Sequence, residues 1–405
     1  MREEMQHLLA EGVARGDFAG KRIVIVVPDT TRTAPVRELV NTVVEQLRHS
    51  AKAIDILIAL GTHQPLDGRA VRKHLDSRLE SGDAVLDVVR VFNHEWDNPA
   101  MLADLGWLTA DKVADISRGM MREDVPISIN RRVFDYDKIL VLSPVFPHEI
   151  VGMSGGSKYF FPGISGPQVI DATHWLGALI GNLRIIGRVD TPVRRMIDTA
   201  ADLLDMDVFA VCFVVQGEDV VGLFTGELRR SWRRAAELAQ ERHIVRKARR
   251  FRQVLARAPK MYEDLWTGGK CMYKCESIVA DGGELIIYAP HITSLSYTHG
   301  HLLERVGYHV VDYFCANRKR YRDVPRAVMA AAAYIRGSGT YQDGKEQPRI
   351  DVTLATQIPE ELCKRVGLGY RDPRSIDIDR WADSDDGECF YVERAGETLY
   401  LFNEH

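Results

Sequence analysis

Four times in its first 145 residues this chain runs an apolar, largely β-branched segment straight into a polar loop, and that repeated layout restricts the fold more than any other feature. Residues 21–27 read KRIVIVV and open into PDTTRTAP; residues 54–60 end in GTHQP, residues 84–91 in FNHEWDNP, and residues 138–142 in SPVFPHE. An unbroken apolar run suits a strand covered on both faces. Helix-patterned stretches such as residues 36–48 lie between the runs. Strands separated by helices need crossover connections, so the pattern predicts an α/β fold with a mainly parallel sheet and a ligand crevice beyond the carboxyl ends of its strands. Asp29, Arg32, His63, His94 and His148 all fall at those ends.

The second half repeats the theme. Residues 208–215 and 220–223 read as a hairpin, and residues 227–252 as a long basic, alanine-bearing helix that could serve as a hinge. This stretch lacks the interleaved aromatics of a nucleic-acid surface and reads as a solvated face. A strand near Val254, the turn LWTGGK, a helix through residues 271–279, a DGG turn and the strand ELIIYAP form a further α/β unit. The expectation is two Rossmann-like α/β domains, residues 1–243 and 244–385, with mainly parallel sheets and the active site in the cleft between them. Residues 386–405 form a tail packing back on the first domain, with a short hairpin over 389–402. Residues 336–356, rich in polar turn residues, read as a domain-closing loop without an assigned chemical role.

Length and composition agree with two cores: 405 residues, 45% hydrophobic and 27% charged. A formal net charge of -4 offers no general attraction to nucleic acid or anionic lipid, so any phosphate contact must be local. The six cysteines are scattered without CxxC pairs, which points to a reducing cytoplasm. No apolar run approaches the roughly 18 residues of a membrane span, and the start lacks an export signal.

Residues 148–174, HEIVGMSGGSKYFFPGISGPQVIDATH, carry the densest chemistry. Ser154, Gly155 and Gly156 could let backbone amides approach an anion beside Lys158. The spacing is not that of a magnesium-nucleotide loop, since Tyr159 and Phe160 follow the lysine. Lys158 is either a surface lysine or a nucleophile and attachment point for a cofactor. His174, beside an aromatic on a helix, is alone more often a core histidine than a metal ligand. His63 and His148 each follow an apolar run next to a proline, which suits acid/base work or nothing at all. In DTTRTAP, Arg32 could bind a carboxylate or phosphate, or the segment could simply cap a helix. Thr267 and Lys270, in LWTGGK, open a helix where an anion could sit. Cys271 with Cys275, and His299 with His301, lack a full metal-ligand spacing.

Taken together these motifs resemble the nickel-dependent lactate racemases and the wider set of 2-hydroxy acid racemases and epimerases. PDTTRTAP is similar to the family's DxTRP-type loop, GTHQP to its GTHRP, HEIVGMSGGSKYFFPG with the later ATH to its central block, and LWTGGK with DGGELII to its YQxxK and GGxII segment. The resemblance implies that Lys158 carries a covalently attached nickel-pincer nucleotide and that His174 is the protein's ligand to the nickel. It makes His63 and His148 the acid/base pair and places Asp29, Arg32, Ser154, Gly155 and Gly156 at the cofactor. Lys270, Thr267 and Trp266 fall at the substrate, with Lys270 holding its carboxylate. Trp266 and Thr267 replace the Tyr and Gln of lactate enzymes, and Gln64 replaces an arginine. These departures imply a remodelled pocket and a 2-hydroxy acid other than, or longer than, lactate. Cofactor-maturation proteins are the implied partners; the competing reading is a ligand-binding or regulatory protein that keeps the fold without turnover.

Overall fold

The computed structural model describes residues 3–31, 34–383 and 387–403. Packing divides the chain into two compact units. The first comprises the chain to Phe146, Met153–Thr173 and Val189–Arg242; the second comprises Pro147–Gly152, His174–Arg188 and the chain from His243.

The first unit is built on β1 (Arg22–Pro28), β2 (Ala53–Ala59), β3 (Arg90–Asn93), β4 (Lys138–Pro144), β5 (Val208–Gln216) and β6 (Asp219–Gly226), in the order β6–β5–β4–β1–β2–β3. All neighbours run parallel except β6, which returns antiparallel on β5 as the hairpin pattern predicts. Ile23 to Val27 are fully buried, as an apolar run in a central strand must be. Helix α1 (Glu3–Ala14) and helix α2 (Val36–Leu47) bring Leu9, Val13, Val36, Leu39, Val40, Val43, Val44 and Leu47 onto that sheet. The i, i+3, i+4 spacing in α2 puts its apolar residues on one face, each contributing roughly 1.5–3 kcal/mol of burial.

From β1 the chain steps outward to β2 and β3, then crosses back to β4 on β1's other side. Side by side, β1 and β4 therefore feed connections in opposite directions, and beyond their carboxyl ends a parallel sheet opens a crevice.

The edge departs from expectation at residues 84–91. Val85–Val88 is a helical turn and only Arg90–Asn93 is a strand. Asp55, buried in β2, explains the short strand's anchorage: its carboxylate accepts the Arg90 backbone amide, both arms of the Arg90 guanidinium and the Tyr136 hydroxyl. Burial pushes this carboxyl up, but the bonds from Arg90 and Tyr136 outweigh it and hold it below the usual range.

In the second unit, β7 (Phe251–Arg257), β8 (Val279–Ala289), β9 (Asp351–Thr356), β10 (Gly369–Tyr370) and β11 (Cys389–Val392) form an all-parallel sheet in the order β10–β9–β8–β7–β11. Leu255, Ile286, Ala355 and Ile376 make a core cluster there. The chain is thus mixed α/β with mostly parallel sheets. Three local expectations fail. The basic helix ends at His243, and Ile244–Lys247 is already a strand. The helix expected through residue 279 is a turn, Lys270–Tyr273, followed by 3-10 residues Glu276–Ile278. The tail is not a hairpin: β11 pairs with β7 and Leu399–Phe402 with Ile244–Lys247, both in parallel. Residues 336–356 hold the end of a helix, an antiparallel hairpin (Gly339–Gln342 with Lys345–Pro348) and all of β9. Among the described residues no helix is long and apolar enough to cross a membrane.

Candidate active site

Asp29 directly follows β1 and is 6% exposed. One carboxylate oxygen accepts the amide and hydroxyl of Thr31 at 3.2 and 2.7 Å, an Asx turn that fixes the side chain. The other lies 2.5 Å from Nδ1 of His63, which reaches it from the loop after β2. A carboxylate can only accept, so Nδ1 carries the proton, and in the neutral ring Nε2 keeps its lone pair. The His63 side chain is 30% exposed. This is the geometry of a general base whose ring is oriented by a buried acid. Arg32 lies outside the described residues.

The glycine loop sits beyond β4. Gly155 has φ +81° and a Cβ there would stand 2.7 Å from Ser143 Oγ; Gly156 has φ +61° and a Cβ would stand 2.8 Å from Trp232. Only glycine satisfies both demands. The polar groups of this loop are used in holding it. Ser143 Oγ accepts the Gly156 amide at 2.7 Å, and Ser154 Oγ accepts the Phe146 amide and donates to the Pro144 carbonyl. Trp232 Nε1 donates to the Ser154 carbonyl at 2.7 Å, and Arg194 donates to the carbonyls of Met153 and Gly155 while stacking over Trp232 at 4.1 Å. Arg194 is 3% exposed, and burial brings its guanidinium down to about 10. Ser154, Gly155 and Gly156 are therefore a buried, internally bonded platform.

Met153 to Ser157 are buried and Lys158 is the first residue of the loop to emerge, half-exposed. Its carbonyl accepts the Gly163 amide at 3.0 Å, and the Gly163 carbonyl in turn accepts the Gly61 amide at 2.9 Å. The loop of His63 and the turn that begins at Lys158 are thereby hydrogen-bonded to each other, so Asp29, His63 and Lys158 share one end of one sheet.

His94 does not join them. It is 1% exposed, its Nδ1 accepts from Asn130 and its Nε2 donates to the Ser165 carbonyl. Burial holds it neutral, with its pKa brought down to about 4. The position after a strand was read correctly, but the side chain is a core hydrogen-bonding group.

In the second unit, His148 lies on the short strand Pro147–His148 and is 4% exposed, so it does not face open solvent as a crevice histidine was expected to. Its Nδ1 accepts the Ile150 amide at 3.2 Å and has the Glu149 carboxylate 3.4 Å away. His174 is half-exposed on α3 (Pro167–Ile180). Asp264 N-caps the turn Leu265–Gly268: it takes the amide and hydroxyl of Thr267 at 3.0 and 2.8 Å and the Tyr297 amide at 3.2 Å. That end of the helix is already occupied by a carboxylate, and Thr267 is a capping partner. Trp266 meets the His299 ring at 5.0 Å, and Lys270 Nζ lies 4.8 Å over Tyr262.

Sequence reasoning missed Trp232, Arg194, Asp264 and Glu149. Trp232 and Arg194 act through contacts distant in sequence, which no local spacing reveals. Glu149 had a visible signal in its adjacency to His148, and Asp264 in its place three residues before Thr267, the spacing of an N-cap. Among the described residues no group of three or more His, Cys, Asp or Glu could hold a metal ion. Among the described residues His174 therefore belongs to no metal-binding group of that kind.

The profile of the lactate racemase N-terminal domain matches residues 9–183, which carry Asp29, His63, His148, Lys158 and His174. The chain is 22% identical over 275 residues to the lactate racemase of Thermoanaerobacterium thermosaccharolyticum, an alignment covering 66% of this chain and 60% of that protein's length. A crystal structure of a Thermotoga maritima protein superposes with a TM-score of 0.89 at 31% identity over 98% of both chains. The lactate racemase apoprotein of T. thermosaccharolyticum superposes at 0.73 with 18% identity, over 98% of this chain and 93% of that one, a likeness of fold. Residues 9–183 of this chain are thus matched to the lactate racemase N-terminal domain.

Proposed function

We propose that this chain is a racemase or epimerase of a 2-hydroxy acid, acting with a nickel-pincer nucleotide attached at Lys158, with His63 and His148 as its acid/base pair. The observation that carries the proposal is the 2.5 Å contact of Asp29 with His63, on a loop hydrogen-bonded to the turn of Lys158 at the sheet's switch point. The residues suit the group: Lys158 is a primary amine emerging from a rigid buried platform, and His174 is a single half-exposed imidazole. When bound, the nickel-pincer nucleotide would supply the two-electron acceptor that takes the substrate's α-hydride and returns it.

His63 takes the hydroxyl proton at Nε2, and Asp29 stabilises the imidazolium that results. His148, as an imidazolium, returns a proton to the oxygen from Nε2, so over one turnover His63 gains a proton and His148 loses one; the reverse isomer runs the roles backward. Lys270 holds the substrate carboxylate, with Trp266 and Thr267 beside it on the same helical segment. Thr267, shorter than the glutamine of lactate enzymes, is proposed to leave room for a 2-hydroxy acid longer than lactate. Asp29, Arg32, Ser154, Gly155 and Gly156 are proposed to border the nucleotide. Maturation proteins that build and load the group are the proposed partners, and the reducing cytoplasm is the proposed compartment.

The test is to co-produce the chain with such maturation proteins and map the Lys158 peptide by mass spectrometry alongside metal analysis. Added mass on Lys158 with one nickel per chain supports the proposal. An unmodified Lys158 in a preparation that interconverts 2-hydroxy acids would sink the attachment.

A further inference from the structure

The Nδ1 atom of His148 has two partners that demand opposite protonation. The Ile150 amide at 3.2 Å is a donor and can face only a bare Nδ1; the Glu149 carboxylate, Oε2 at 3.4 Å, is an acceptor and favours a protonated one. With the amide bound, the proton of a neutral ring sits on Nε2. In that tautomer Nε2 cannot accept a proton, and giving its proton up would leave an imidazolate, which is out of reach near neutral pH. Acid or base work at Nε2 needs Nδ1–H.

We propose that Glu149 is the positioning residue that brings His148 into its working tautomer, exchanging with the Ile150 amide at Nδ1. This rests on the assignment of His148 to the acid/base pair and deepens it. With Nδ1–H directed to Glu149, Nε2 takes a proton from the substrate hydroxyl to give the imidazolium, or gives that proton back and returns to the neutral Nδ1–H ring. The proton count closes on His148 and substrate alone, and Glu149 stays a carboxylate throughout.

Glu149 is 9% exposed, and a carboxylate so buried calls for a donor such as Nδ1–H of His148. Besides His148, the phenols of Tyr273 and Tyr334, whose rings meet at 6.0 Å, feel the charge of Glu149. Burial first, and the charge of Glu149 second, hold both phenols protonated, so they stand there as neutral dipoles. Tyr334 Oη is buried and has no hydrogen-bond partner among the described residues. Helix α3 presents Gly177 at this point: a Cβ there would lie 2.2 Å from Tyr334 Oη and 3.1 Å from the Ile150 carbonyl. The glycine admits the phenol to the backbone that follows Glu149.

The test needs neither cofactor nor substrate. Nitrogen NMR of the full-length chain labelled in histidine, with His148→Gln to assign the signal, reads tautomer and titration directly. The account predicts a neutral Nε2–H ring at high pH that gains Nδ1–H as pH falls, and a midpoint lower by about one pH unit in Glu149→Gln, roughly a tenfold loss of proton affinity. His63 keeps its midpoint in that variant. An unchanged His148 midpoint in folded Glu149→Gln overturns the proposal, and so does a wild-type ring that is Nδ1–H at every pH. Should that variant not fold, Glu149→Asp takes its place: a His148 midpoint displaced from that of the wild type is expected, and an unchanged one overturns the proposal. If the NMR prediction holds while the loaded chain isomerises no hydroxy acid, the acid/base assignment fails and the Glu149 pairing stands.

Discussion

Asp29 and His63 make the pair on which most of the proposed chemistry turns. Replacing Asp29 with Asn keeps the size and the Thr31 contacts but lets Nδ1 accept from the new amide, favouring the wrong tautomer. The expected outcome is a loss in kcat on the order of 100-fold or more with the fold intact, checked by steady-state kinetics beside circular dichroism. A loss confined to KM would count against an orienting role. Gly156 makes a second, purely structural case. Gly156→Ala forces a left-handed φ on alanine and drives its methyl into Trp232, so unfolding by urea should show a loss of about 2 kcal/mol or more. An unchanged midpoint would mean that the loop is looser than its contacts imply.

The loop between β4 and α3 shows what a sequence does and does not disclose. The motif SGGSK marked the place, and glycines beside a lysine did signal unusual backbone. Their reason was not visible: the anion-cradle reading assumed open amides, whereas Ser143 takes the Gly156 amide and Trp232, some 80 positions on, takes the Ser154 carbonyl. Trp232→Phe should cost about 1–3 kcal/mol, since it leaves that buried carbonyl without its donor, and differential scanning calorimetry would detect it. The apolar runs of β1, β2 and β4 were readable because an unbroken run has few other uses. Residues 84–91 misled because a short apolar stretch fits a helical turn and a strand equally well. His94, after β3, carries a consequence in pH. Its folded pKa lies near 4, below the 6.5 of an unstructured histidine, so the unfolded chain binds the extra proton between those values. Stability is full above about pH 6.5 and falls as pH drops toward 4, by roughly 3 kcal/mol from this group. His74, lowered by burial although its bond to the Pro28 carbonyl opposes this, acts in the same direction. Urea midpoints at pH 7.5 and pH 5 check this; equal midpoints would contradict it.

For the chain as a whole, the parallel α/β architecture and the match to the lactate racemase N-terminal domain were legible because strand-end motifs recur in order over the first 183 residues. Packing assigns Pro147–Gly152 and His174–Arg188 to the second unit. Two short segments inside the first 243 residues change allegiance without any shift in composition, because membership depends on contacts rather than on pattern. The account's central claim is that this chain inverts the α-carbon of a 2-hydroxy acid using His63 and His148. Chiral chromatography of single-isomer 2-hydroxy acids, from lactate to polyhydroxylated chains, tests it most directly with the nickel-loaded protein and its His63→Ala and His148→Ala variants. The account predicts that at least one acid longer than lactate is interconverted, and that each variant loses that activity while retaining nickel. Full activity in either histidine variant, or no interconversion of any acid by loaded wild-type protein, would contradict it.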